Sequence, residues 1–148
     1  VELEMAMCGE VFVSVPPEFA EITELLGERL VHQGWADRDH YEALLSRAAI
    51  VLSTAHQEFF GIGVVEGIGA GAHPVLPNRL VYPERIAALG GDPALVLYDT
   101  PEQAADLIEQ ALSAKADPAL AESASRYDWA TVAPRYDKAL ADLVSSCC

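Results

Sequence analysis

Two glutamates in the middle of the chain have the type and spacing that could bind a sugar. Glu58 lies in a polar turn, and Glu66 follows eight positions later, inside a stretch of helical character. Carboxylates accept short, strong hydrogen bonds from hydroxyl groups, which suits them to polyols. Gly61 and Gly63 lie between the two acids and let a ligand approach the backbone closely. The pattern predicts sugar hydroxyls on one carboxylate, ribose hydroxyls on the other, and a diphosphate over the backbone amides.

The elements around the two acids would place them at the edge of a parallel sheet. The apolar run 50–52 predicts a buried strand that ends at Ser53-Thr54, and residues 62–70 predict the helix that follows. Ligands of open parallel sheets bind where strands end and helices begin. A helix N-terminus at that place presents unpaired N–H groups and the positive end of its dipole to an anion.

Longer blocks of sequence in this region are similar to a known family. Glu58-Phe59-Phe60-Gly61 followed by Glu66 resembles the Glu-x7-Glu signature of retaining glycosyltransferases of family 4, which have the two-domain GT-B fold. Ser53-Thr54-Ala55 and Leu80-Val81-Tyr82-Pro83-Glu84 are similar to blocks of its tRNA-queuosine alpha-mannosyltransferase branch. The resemblance covers roughly residues 5–112, and Gly67 stands where the family usually has alanine.

The resemblance implies a role for several residues in binding a nucleotide diphosphate sugar. Glu58 would be the catalytic residue and hold hydroxyls of the transferred hexose, expected to be mannose from GDP-mannose, while Glu66 would hold the ribose. The other donor-binding residues form three groups: the amides of Phe60, Gly61 and Ile62 for the sugar or diphosphate, Leu80 and Val81 for backbone contacts, and Gly34, Trp35 and Tyr41 for the base. The transfer would retain the anomeric configuration and need no metal or cofactor, the nucleotide sugar being a co-substrate.

Each assignment has a purely structural alternative. Glu58 could be a solvated loop acid, and Glu66 could interact with the dipole at the helix start, worth ~0.3–1 kcal/mol. Trp35 and Tyr41 could be core residues, since aromatic residues at helical spacing usually are. Arg79 could contact a phosphate or be a solvated surface arginine. Two other functions stay open: a family 4 glycosyltransferase with a different donor or a lipid or glycan acceptor, and a non-catalytic nucleotide-binding module.

Composition limits the partners and the location. The 148 residues carry 23 acidic and 9 basic side chains, a net charge of −14, and the basic residues form no cluster of the kind that binds nucleic acid. If the protein acts on tRNA, we expect another part of it to contact the RNA. No apolar run approaches the ~18 residues of a membrane helix. Cys8 and the pair Cys147-Cys148 have neither zinc nor disulfide spacing, so we expect a cytoplasmic protein with Cys8 in its core.

The chain begins without an initiator methionine, and we expect it to be part of a longer protein. Its partner would be an N-terminal acceptor domain that also carries the basic residues for the diphosphate. Residues 1–148 would then be the C-terminal donor-binding domain, which alone should bind donor weakly and catalyse nothing.

Alternating strand and helix patterns predict an α/β fold, a Rossmann-like parallel sheet flanked by helices, as in the C-terminal half of a GT-B glycosyltransferase. The predicted strands are one ending at Cys8-Gly9, then 30–33, 49–53, 73–76 and 94–98. Seven helices are predicted: Pro17 to the stop at Gly27, 37–49, 62–70, Pro83 to just before Gly90, one that begins after Thr100, 116–125, and one from about Thr131. Asp39 with Glu42 and Thr100 with Gln103 predict capping boxes. The last helix should begin near Thr131 because Pro134 fits only a first turn.

Overall fold

The computed structural model describes residues 3–9, 15–114 and 117–146. Ala116 of a predicted helix and the Cys147-Cys148 pair lie outside the described residues. The chain divides into two compact units, Val1–Arg47 and Ala48–Cys148, and each is described by itself.

The first unit is a pair of parallel strands with two helices. Its elements in chain order are β1 (Met5–Cys8), α1 (Pro17–Leu26), a 3-10 turn (Gly27–Arg29), β2 (Leu30–Gly34) and α2 (Arg38–Arg47). Strand β1 pairs with β2, with Met7 opposite Gln33 and Cys8 opposite Gly34. The predicted start of α1 at Pro17 and its stop at Gly27 are confirmed, and Gly27 has a φ of 53°, which favours glycine.

Two predictions for the first unit are wrong. The start of α2 is capped by Asp37, whose Oδ1 accepts a hydrogen bond from the His40 amide at 2.9 Å, so Asp39 lies inside the helix instead of capping it. Cys8 is exposed rather than in a core, because side chains alternate along β1 and the half-buried face carries Met5 and Met7.

The second unit is a three-stranded parallel sheet with helices between and after its strands. Its elements are β3 (Ile50–Leu52), α3 (Ile62–Gly69), β4 (His73–Pro77), α4 (Tyr82–Leu89), α5 (Pro93–Val96), β5 (Leu97–Tyr98), α6 (Pro101–Ser113), α7 (Pro118–Ala124) and α8 (Trp129–Ser146). The strand order is β3-β4-β5, with Leu52 opposite Val75 and Pro77 opposite Tyr98. Parallel strands joined through helices confirm the predicted α/β class.

The core of the second unit lies on both sides of β4. Val75 and Leu76 are fully buried at its centre. Leu76 shares one core cluster with Tyr82 and Ile86 of α4, and Val75 shares the other with Tyr98 and Leu107. Because parallel strands are covered on both faces, a short uninterrupted apolar run such as 74–77 is what β4 requires.

Two elements of the second unit differ in kind or in extent from the sequence prediction. Of the predicted strand 94–98, only Leu97–Tyr98 is a strand, and residues 94–96 belong to the single turn α5. The Asp92 carboxylate accepts from the Ala94 amide at 3.0 Å, and Pro93 occupies the first helical position. Helix α8 begins at Trp129, so Pro134 lies beyond the first turn. In the described ranges, no helix is both long and apolar enough to cross a bilayer.

Candidate functional site

Ser53 joins the carboxyl ends of the three strands in the second unit. Its amide donates to the Val75 carbonyl at 3.1 Å, and its carbonyl accepts from the Tyr98 hydroxyl at 2.7 Å. Its Oγ hydrogen-bonds with the Tyr82 hydroxyl at 2.7 Å. Burial raises the pKa of both tyrosines, so both hydroxyls stay protonated near neutral pH. The sheet edge from which the candidate loops extend is therefore held by a fixed polar network.

The loop of residues 58–61, called here the Glu58 loop, turns the Glu58 carboxylate back onto its own amides. Glu58 Oε1 accepts from the amide of Phe59 at 2.9 Å and from the amide of Phe60 at 3.2 Å. Hydrogen bonding from the Gly61 amide is the main cause that lowers the pKa of Glu58. Burial opposes it as the second cause, and the Phe60 and Phe59 amides lower the pKa further. Hydrogen bonds from these amides thus stabilise the ionised form of the carboxylate.

Glycine suits position 61 at the start of α3 better than a residue with a side chain. Its φ is 78°, in the left-handed region, and a Cβ there would lie 3.2 Å from Cε1 of Tyr82. No side chain caps the helix start within the described part of the chain. The N-terminus of α3 therefore opens directly from the Glu58 loop, with Tyr82 packed beneath it.

The loop before α4 lies at the carboxyl end of β4. The Asn78 amide donates to the Tyr98 carbonyl at 2.7 Å, and Arg79 Nε donates to the Ala55 carbonyl at 3.2 Å. Leu80 has a φ of 59°, an uncommon conformation for a branched side chain that costs about 1–3 kcal/mol. Such strain clusters at ligand-binding loops, and the backbone of Leu80 and Val81 is where the resemblance places donor contacts.

The structure brings most of the predicted second-unit residues together. Glu58, Phe60, Gly61 and Ile62 surround the start of α3, and Tyr82 connects them to Leu80 and Val81 because it directly follows Val81 and packs against Gly61. Glu66 lies further along α3 with its side chain half-buried. Neither carboxylate is enclosed in the apolar core.

The three predicted base-pocket residues belong to the first unit. Gly34 ends β2 with a φ of 108°, Trp35 is 71% exposed, and Tyr41 is half-buried on α2. Leu44, Leu45 and Ala48 are also half-buried, so Tyr41 shares the inward stripe that its helical spacing predicts.

Sequence reasoning missed the network around Ser53 and the contacts of Arg85. Ser53, Tyr82 and Tyr98 each end or follow a predicted strand, and polar groups at neighbouring strand ends were the available signal. Arg85 lies with its guanidinium carbon 4.0 Å from the centre of the Phe60 ring. No local pattern indicates that contact.

Over the described ranges, no three His, Cys, Asp or Glu side chains are grouped so that they could hold a metal ion.

Comparison with known proteins finds mannosyltransferases among the similar proteins. The chain is 43% identical over 84 residues to the tRNA-queuosine alpha-mannosyltransferase of Drosophila melanogaster. This alignment covers 57% of this chain and 22% of the fly protein. It is 34% identical over 106 residues to the GDP-mannose:cellobiosyl-diphosphopolyprenol alpha-mannosyltransferase of Xanthomonas oryzae pv. oryzae (strain PXO99A). This second alignment covers 67% of this chain and 27% of the bacterial protein. The chain thus spans about a quarter of the length of each of these relatives. No family model and no solved structure matches it significantly.

Proposed function

We propose that the chain is the donor-binding domain of a retaining family 4 glycosyltransferase of the GT-B type, and that it binds GDP-mannose. Both relatives are named as alpha-mannosyltransferases, and the name of the bacterial one specifies GDP-mannose. The acceptor domain lies outside these 148 residues in this proposal. The short share of the relatives that the chain covers leaves room for such a domain.

The observation that carries the proposal is the convergence of Glu58 with backbone amides at the start of α3. Glu58 Oε1 already accepts from the Phe59 and Phe60 amides, so its position is fixed before a donor arrives. In the proposal this ionised carboxylate accepts hydrogen bonds from mannose hydroxyls, which are charge-assisted and therefore strong. The Ile62 amide and the dipole of α3 stabilise negative charge on the leaving diphosphate, without a metal ion, while the Gly61 amide donates to Glu58.

The remaining contacts extend the proposed site along the nucleotide. Glu66 accepts from the ribose hydroxyls, and the backbone of Leu80 and Val81 contacts the diphosphate side of the sugar. A role in base binding for Gly34, Trp35 and Tyr41 stays a prediction from the resemblance, in which the rings of Trp35 and Tyr41 would offer stacking area.

The acceptor that we propose is queuosine in tRNA, since 43% identity to the fly enzyme accompanies the two sequence blocks shared with that branch. The net charge of −14 makes these 148 residues a poor surface for RNA, so the acceptor domain supplies the RNA contacts. The protein would then act in the cytoplasm. A lipid-linked glycan acceptor is the second candidate, because the similarity to the bacterial enzyme extends over more residues.

The test is mannosyl transfer by the full-length enzyme carrying Glu58→Gln or Glu58→Ala. We expect turnover to fall by roughly 10²-fold or more, since contacts to the reacting sugar act in the transition state. Glu109→Gln is the matched control, because Glu109 is an exposed acid on α6. Unchanged turnover in the Glu58 variants would remove the catalytic assignment.

Donor and acceptor are assigned by separate assays on the unmodified enzyme. GDP-mannose should raise the melting temperature more than UDP-sugars do, because a ligand that binds the folded state stabilises it by mass action. Queuosine-containing tRNA and cellobiosyl-diphosphopolyprenol are then compared as acceptors with labelled GDP-mannose. Label transferred only to the lipid would replace tRNA by the second candidate.

A further inference from the structure

Arg85 is a buried cation with no acidic partner among the residues that the structure describes. It lies on α4 with 9% of its surface exposed, and its Nε is buried with no hydrogen-bond acceptor. Among the described residues, the salt bridges join Arg38 to Glu42 and Arg47 to Glu4, and none involves Arg85. A buried charge is costly unless other groups stabilise it. The contacts of Arg85 must therefore explain its place in a chain that has 23 acidic residues to offer as partners.

Two aromatic rings enclose the guanidinium. Its carbon Cζ lies 4.0 Å from the centre of the Phe60 ring and 4.9 Å from the centre of the Tyr127 ring. Arg85 Nη1 donates to the Tyr127 hydroxyl at 2.8 Å, and the two rings pack edge to face at 5.4 Å. Cations are attracted to aromatic faces at such distances, and the attraction strengthens where water is excluded. Phe60, Arg85 and Tyr127 thus form one cluster, called here the Arg85 cluster.

The Arg85 cluster connects the body of the second unit to the Glu58 loop. Phe60 contributes its ring to the cluster and its amide, at 3.2 Å, to Glu58 Oε1. Helix α4 and the 3-10 turn Ser125–Tyr127 supply the other two members, so elements distant in sequence hold one loop residue.

We propose that Arg85 is a positioning residue, which with Tyr127 holds the Phe60 ring and thereby fixes the carboxylate and amides of the Glu58 loop in their converged arrangement. The part that concerns donor binding rests on the proposed function, whereas the order of the loop does not. A loop held before binding loses less conformational entropy when a ligand arrives.

Hydrogen–deuterium exchange of the full-length protein without ligand tests the order of the loop. Arg85→Met and Phe60→Leu should speed exchange of the 59–61 amides by roughly tenfold or more, since one stabilising contact is lost at a site that can open locally. Amides in the second half of α3 and in β4 should keep their protection, which shows that the fold is intact.

Two matched variants separate the cluster from general effects. Phe59→Leu makes the same change one position earlier, at a side chain that is 98% exposed. Arg126→Met removes a cation whose Cζ lies 5.8 Å from the centre of the same Tyr127 ring. Arg126 donates to the Ala88 carbonyl and makes no contact of this kind with Phe60. Both should leave the 59–61 amides at their original exchange rate.

Each outcome decides the proposal. Unchanged exchange of the loop in Phe60→Leu would overturn it, as would equal acceleration in Phe59→Leu. If Arg85→Met unfolds the whole unit, Phe60→Leu still decides, because Phe60 is 38% exposed and its replacement leaves no cavity deep in the core. Arg85→Lys should restore part of the protection, since it keeps the charge but loses the planar fork.

Donor kinetics form the second arm. In the full-length enzyme, Arg85→Met and Phe60→Leu should raise the KM for GDP-mannose by roughly tenfold, with a smaller change in kcat, because the loop must be ordered on binding. If the Glu58 variants prove fully active, the proposed function fails while the exchange result stands. If exchange does not change, the positioning role fails whatever the Glu58 variants do.

Discussion

The ionised form of Glu58 is stabilised by N–H donors of its own loop. The Gly61 amide is the largest influence, followed among the favourable ones by the Phe60 and Phe59 amides, and together they lower the pKa of Glu58 below its ordinary value of 4.5. The protonated form would lose these hydrogen bonds, since a neutral carboxyl is a weaker acceptor. Ionisation of Glu58 therefore strengthens the hydrogen bonds within the Glu58 loop.

The pH dependence follows from the direction of that shift. A carboxyl whose pKa is lower in the folded protein contributes stability that is present above pH 4.5 and is lost as the pH falls through the folded-state pKa. Carbon-detected NMR titration should give a pKa for the Glu58 carboxyl that lies below the ordinary value of 4.5. Glu58→Gln should destabilise the protein at neutral pH, and the difference should shrink under acid. A Glu58 pKa at or above its ordinary value would contradict the converged loop.

Much of the candidate site could be predicted from residue identity and order. The apolar run before Ser53, the loop acid Glu58 and the glycine at the helix start indicated a strand end facing a helix N-terminus, and the structure has that arrangement. The strained φ of Leu80 and the contact between Phe60 and Arg85 could not be predicted. Both depend on the packing of segments that lie far apart in the chain.

At the scale of elements, helix α3 lies unusually close to strand β3 at one residue. A Cβ on Gly67 would lie 2.8 Å from Cβ of Val51 and 2.9 Å from its Cγ2, which real side chains do not tolerate. Gly67 is itself buried within α3. Alanine, usual at this position in the family that the sequence resembles, would therefore force the helix or the strand to move.

Gly67→Ala should destabilise the protein by about 1–3 kcal/mol, the usual cost of overpacking a core. Gly69→Ala is the control on the same helix, because its Cβ would meet Ala124 at an ordinary 3.6 Å, and it should be neutral or stabilising by up to about 1 kcal/mol. Adding Val51→Ala to Gly67→Ala should recover part of the loss, as a double-mutant cycle by urea denaturation would measure. A Gly67→Ala protein as stable as the original would show that α3 and β3 are further apart.

The elements predicted best are those specified by neighbouring residues. Thr100 and Gln103 form the expected capping box at the start of α6, and Pro17 and Gly27 mark the ends of α1 as predicted. The elements predicted poorly depend on a choice between two local signals. In residues 93–96 the cap at Asp92 outweighs an apolar pattern typical of a strand, and α8 includes Pro134 despite its missing amide.

At the scale of the whole molecule, burial is divided unequally between the two units. Every buried apolar residue that the structure describes belongs to the second unit, from Val64 to Ala124. In the described part of the first unit, no side chain is fully buried. Its sheet has the two strands β1 and β2, and an isolated pair of strands is marginal in water. The stability of the second unit therefore comes from its own core.

We expect residues 48–148 to fold when expressed alone and residues 1–47 to remain largely unfolded. Residues 48–148 keep the three-stranded sheet and all of the described core. Residues 1–47 are near the size below which a chain needs disulfides, metals or a partner. Circular dichroism during heating should show a cooperative transition for 48–148 and a gradual change for 1–47. A cooperative transition in 1–47 would mean that its half-buried residues form a sufficient core. Loss of structure in 48–148 would mean that its sheet needs more than the helices that cover it.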